Sequence, residues 1–158
     1  MNEGQQLLSI YREASLGDVD AFAFILAFHG WAHLIDDLVD EPQRDRLEVV
    51  DVAMKANVLF SSPFYQAHAH VLSVVTCVIA DSYGLSVRCE REGGDKAKLA
   101  DAFRLAGNQL VIAVAMLKGG WEHAQRVSAQ LWPVVFQSQL GTNLPCTHPE
   151  SPTTATST

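Results

Sequence analysis

Apolar residues recur along this chain at helical spacing, and no Asn-Gly or Asp-Gly hairpin signal stands between alternating runs. Leu7, Leu8, Ile10, Tyr11 and Ala14 share one face of a first predicted helix, which Gly17 is placed to close as a C-terminal cap. Asp18 stands as the N-cap of a second helix from about Val19 to Asp40, with Asp20 adding negative charge to its first turn. That helix is apolar almost all round, which predicts the central buried element, and Pro42 is expected to stop it. A third helix is expected from Arg44 to Leu59 on the spacing of Leu47, Val50, Met54 and Val58. Ser62 as N-cap and Pro63 at the first helical position open a fourth, expected to run to about Tyr83 and to end at Gly84. Its stretch Val71 to Ile79 is rich in β-branched residues, but its length, its flanking alanines and the lack of a partner strand favour helix. A mostly polar loop containing Cys89 is expected from Leu85 to Gly94, with an extension of the preceding element through Leu85-Ser86-Val87 as the alternative. Asp95 is read as the cap of a fifth helix reaching about Leu117 and closed by Gly119-Gly120. Trp121 to Gln139 form a sixth, which Pro133 is expected to kink or break. Short connections between long helices predict an all-α, up-and-down bundle of five to six helices over residues 1–140. Residues 141–158, rich in Pro, Ser and Thr, are expected to form a disordered tail.

Composition narrows the class. Of 158 residues, 48% are hydrophobic, enough for one real core and too many for a disordered chain. Only 18% are charged, so several helices must be heavily buried. A formal net charge of -7 argues against a nucleic-acid partner, since phosphate neutralisation needs clustered Lys and Arg, and fits a protein that attracts cations. Cys77, Cys89 and Cys146 are odd in number and lack CxxC spacing, so neither a disulfide framework nor a zinc knuckle is expected, and a cytoplasmic location is the default. Met1 to Gln6 do not have the character of a signal peptide. The longest apolar stretch, Ala21 to Ile35, is interrupted by His29 and His33 and is too short to span a bilayer, so no membrane partner is expected.

The candidate chemistry lies at the end of the second helix. At about 100° per residue, His29, His33, Asp36 and Asp40 fall on one narrow stripe, with Asp37 offset by about 80°. Phe22 and Leu26 continue the stripe toward the N-terminus, so it starts core-facing and becomes anionic. Clustered carboxylates on such a stripe repel one another, and the helix macrodipole is already negative at that end. A hard divalent cation, Mg2+ or Mn2+, held by Asp36, Asp37 and Asp40 would compensate them. The plainer alternative is a solvated acidic helix end paired with Arg44 and Arg46.

If the helices alternate direction, the end of the second helix shares a pole with the end of the fourth and with the fifth. Asp81 and Asp101 are then candidates to complete a metal shell, and Lys98 and Arg104 to hold a phosphate. His33, one turn before the carboxylates, is placed for a catalytic acid/base or orienting role, whereas His29 reads as structural. No phosphate-binding loop, dinucleotide fingerprint, nucleophile elbow or HExxH motif is present.

The segment "WAHLIDDLVDEP", residues 31–42, resembles the first Asp-rich helix of the all-α isoprenoid synthases, especially the squalene/phytoene synthase branch. The resemblance implies that Asp36, Asp37 and Asp40 form a DDxxD metal site, with Mg2+ gripping a prenyl diphosphate. No second DDxxD follows, and the chain is shorter than such a synthase needs to enclose an isoprenoid chain, which implies a compact relative or an independent use of the same metal device. "SSPFYQAHAHV" and "LKGGWEH" also resemble segments of small uncharacterised helical proteins of phages and prophages. Two functions stand side by side: a metal-assisted protein that binds or hydrolyses a phosphorylated or diphosphate ligand, and a non-catalytic interaction or phage accessory protein that forms a homo-oligomer through exposed apolar helix faces.

Overall fold

The computed structural model describes residues 2–40 and 47–140, with side chains as far as Gln137. The helical segments are α1 (Glu3–Ala14), α2 (Val19–Asp40), α3 (Leu47–Phe60), α4 (Pro63–Ala67), α5 (Ala69–Glu92), α6 (Ala97–Arg104) and α7 (Gln109–Leu140), with 3-10 turns at Gly94–Lys96 and Leu105–Asn108. No strand occurs among the described residues, so the all-α bundle holds, and the β-branched run in α5 is helical. The expectations for Glu41, Pro42, Arg44, Cys146 and the tail lie outside the described residues.

Local chemistry places the first elements. Asn2 and Gln5 form a reciprocal capping box at the start of α1. The Asp18 carboxylate accepts from the Ala21 N–H at 3.0 Å, so it caps α2 as its sequence position suggests. Ser62 accepts from the Tyr65 N–H at 3.4 Å with Pro63 next in the chain, which starts α4.

Four boundaries differ from expectation, the first at His68, which divides the expected fourth helix from Pro63 into α4 and α5. Gly84 does not end a helix: α5 continues to Glu92, and the supposed loop after Gly84 is helical. One interior glycine costs only about 1 kcal/mol, less than burying Leu72, Ile79 and Ser86 along one continuous stripe can offset. The true stop is Gly93, whose φ of 70° lies in the left-handed region. Asp95 caps nothing, and the single fifth helix is divided into a 3-10 turn, α6 and a second 3-10 turn before α7 begins. Pro133 does not break its helix, and the non-helical residue inside α7 is Gly120, with φ 73° and ψ -170°. A Cβ on the preceding Gly119 would sit 2.7 Å from the buried His123 ring, so both glycines of the expected break are required.

The break reverses the chain. Lys118 meets Asp18 at the N-terminal end of α2, whereas Val135 lines a cavity with Asp36 near its C-terminal end. α1 packs along α7, α2 on α3, and α5 on α6 and α7. The core is built from Phe24, Ile25 and Phe28 of α2, Leu72 of α5, and Leu110, Val111, Val114, Val127 and Leu131 of α7. Phe24 is in ring contact with Phe64 and Tyr65, and the Trp31 indole N–H donates to the Val52 carbonyl at 3.1 Å, which fastens α2 to α3. By length and composition alone, Val19–Asp40, Ala69–Glu92 and Gly94–Gln137 are each apolar enough to cross a membrane. The expectation that the apolar part of α2 is too short to span a bilayer therefore does not hold: the helix is apolar enough over its 22 residues.

Candidate functional site

α2 carries its polar stripe from the core to one end of the bundle. His29 is the innermost member. Its ring stacks on Tyr11 of α1 at 5.0 Å with the planes 7° apart, and Phe28 meets it edge-on. Its Nε2 is buried without a hydrogen-bond partner. Burial first, and His33 second, pull its pKa down to about 4, so the ring is neutral at pH 7. Burial likewise pushes the Tyr11 hydroxyl up to about 12. His33 is exposed at the same cleft.

Two turns beyond His29, Asp36 accepts from the Tyr83 hydroxyl of α5 at 2.9 Å. Burial, followed by this bond to a carboxylate, raises the Tyr83 pKa well above its ordinary value, so Tyr83 stays a donor. Arg104, the last residue of α6, reaches the same place because α6 folds back along α5. Its Nη2 lies 3.0 Å from Glu90 Oε2, 3.5 Å from Asp40 Oδ1 and 3.6 Å from Asp36 Oδ1. Only the Glu90 contact is a hydrogen bond; the other two are ion pairs at longer range. Among the described residues, three carboxylates therefore face one guanidinium, whose Nε is buried and unpartnered. The Asp40 side chain is 49% exposed, so each pair is water-screened and contributes about 0–1 kcal/mol.

The expected residues divide clearly. Asp36, Asp40 and Arg104 come together, with Arg104 ion-paired to the carboxylates. Asp37 is half-buried, one residue round the helix from Asp36. Asp81 is exposed, two residues and about 200° round α5 from Tyr83. Asp101 is exposed on α6, and Lys98, also exposed, is hydrogen-bonded to Asp95 at 2.9 Å. Among the described residues, no group of three or more His, Cys, Asp and Glu gathers as a metal shell. Sequence reasoning missed Tyr83 and Glu90. They are seven residues apart and so share a face of α5, a relation visible only once the helix is carried through Gly84.

Two cavities meet at this cluster. A polar cleft of 300 Å³ is lined by Tyr11, His29, His33, Asp36, Tyr83 and Arg104. An apolar chamber of 390 Å³ lies between α2, α3, α5 and α6, lined by Phe28, Trp31, Ile35, Phe60, Ile79 and Phe103. Ala32, Tyr83, Arg104 and Gly107 line both, so the charged cluster stands at the junction of a polar and an apolar compartment. No family model, curated protein or solved structure matches the chain.

Proposed function

We propose that the protein binds a phosphorylated small molecule with an apolar portion in this two-part cleft, together with a divalent cation, Mg2+ or Mn2+. The observation that supports it is the charge at the junction: among the described residues, Asp36, Asp40 and Glu90 face one guanidinium, that of Arg104, which lines both the cleft and the apolar chamber. A cation on Asp36 and Asp40 offsets the excess carboxylate, and carboxylates with waters and a phosphate are the usual setting for Mg2+. Arg104, released from part of its ion pairing, offers a planar fork to the phosphate oxygens. The chamber takes the carbon portion, and its volume lies within the range of small-molecule sites. His33, exposed at the polar side, orients the phosphate or carries a proton, and hydrolysis of the ligand would depend on it.

Octyl phosphate is a suitable probe, with inorganic phosphate as its control. Melting temperature is followed with Mg2+, with probe, and with both. The expected result is a larger rise with both than the two separate rises combined, a weaker response to inorganic phosphate, and loss of the Mg2+-dependent part in Asp36→Asn. A wild-type protein whose melting temperature ignores every combination overturns the reading.

A further inference from the structure

Two shallow grooves lie side by side on the outside of the bundle, away from the cleft. One, of 560 Å³, runs between Val71, Val74 and Val78 of α5 and Ile112, Met116 and Leu117 of α7. The other, of 580 Å³, follows α7 beyond its break, between Trp121, Ser128, Trp132 and Pro133. Ile112 lines both grooves and Trp132 contacts Phe136, so they form one continuous strip. No charged residue lines either groove among the described residues.

The exposure is large for apolar side chains: Val74 is 61% exposed, Val78 60% and Trp121 64%. With Met116 and Phe136 these residues present on the order of 500 Å² of apolar surface, at the upper end of what one patch on a monomer carries. The half-exposed Val71, Val75, Ile112 and Trp132 extend it toward the roughly 800 Å² per partner of a standard interface.

We infer that this strip joins two copies of the chain in a two-fold homodimer. A chain of net charge -7 repels its own copy wherever acidic faces meet, and the uncharged strip is a place where two copies touch without that cost. A two-fold axis lays the strip on itself, with Trp121 beside the groove of the other copy, the arrangement of an aromatic anchor in an isologous contact. The sequence outside the described residues, 41–46 and 141–158, is mostly polar and has no apolar run to cover the strip.

Sedimentation equilibrium of the full chain, without Mg2+ or ligand so that the cleft plays no part, tests the inference. The wild type should sediment with the mass of two chains and dissociate on dilution. Val74→Glu and Val78→Lys, each at a mostly exposed position, should sediment as single chains with unchanged helical circular dichroism. Dilution of the wild type should also shift tryptophan emission to longer wavelength, and Trp121→Phe should reduce that shift to the share of Trp132, a readout that requires no charged variant to fold. A wild type that stays a single chain at every concentration overturns the dimer, as does a dimer that survives both charged substitutions. So does a single-chain wild type that pellets with phosphatidylcholine vesicles, which assigns the strip to a lipid surface.

Discussion

The two ends of α2 each meet a cation from another helix, and they use it differently. At the N-terminal end Lys118 bonds Asp18 at 2.6 Å, one charge to one, while the same carboxylate caps the helix. Asp18 lies where the macrodipole favours an anion, and the Lys118 hydrogen bond, more than any other contact, holds its pKa below the usual range. About 27 Å along the helix, Arg104 faces Asp36, Asp40 and Glu90, and two of these sit where the macrodipole opposes them. The first end is balanced beside a packed aromatic core and has no charge to spare. Among the described residues the second carries three carboxylates to one cation, and that cation, Arg104, lines two cavities. Excess charge beside open volume separates a candidate site from a structural ion pair, and counting acidic residues alone does not.

The contrast can be broken at several strengths. The largest effect should come from the sealed end: Phe24→Ala removes a ring that is 1% exposed and in contact with Phe64 and Tyr65, and should cost about 3–5 kcal/mol in urea unfolding. Ile35→Ala, in the wall of the chamber, should cost clearly less, because that site is already partly hollow. Equal losses would mean that the two ends are packed alike.

Acid should act through His29. Its folded pKa of about 4 lies below the unfolded value of about 6.5, so the unfolded chain takes up the proton first as pH falls. The stabilisation is complete above about pH 6.5, declines toward pH 4 and amounts to on the order of 2–3 kcal/mol. His29→Phe, which can keep the stack on Tyr11, should flatten that part of the stability–pH curve.

Next come the cations. Arg104→Ala leaves the three carboxylates facing one another and should cost about 1–2 kcal/mol, recovered in part by added salt. Lys118→Ala should cost about 1 kcal/mol or less, because Asp18 keeps its capping bond to Ala21. The smallest effect is a difference of sign: Asp40→Asn should raise stability by a few tenths of a kcal/mol, and Asp18→Asn should lower it by a similar amount. Chemical denaturation of the pair at low ionic strength checks both.

Much of the fold was legible because it is written in local chemistry. Asp18, Ser62-Pro63 and the Gly119-Gly120 pair each act through their own backbone or their nearest neighbours. Gly84 misled because its weak preference is overruled by the buried stripe of α5, a tertiary effect that no window around it contains. The site was legible in part for the same reason. The stripe His29, His33, Asp36, Asp40 follows from helical phase alone, and the pole shared with Arg104 follows from alternating directions. What faces the stripe depends on the rotation of α5 and α6 about their axes. That rotation brings Tyr83 to Asp36 and Glu90 to Arg104, and leaves Asp81, Asp101 and Lys98 exposed elsewhere.

The most direct test of the unbalanced end as a cation site is the melting temperature of the wild type and of Asp36→Asn, titrated with Mg2+ and, separately, Mn2+ at constant ionic strength. A site of this kind raises the wild-type melting temperature with a saturating, RT ln(1 + [L]/Kd) dependence and leaves Asp36→Asn nearly unmoved. Identical responses of the two proteins, or none in either, would contradict it and leave the cluster to its ion pairs with Arg104.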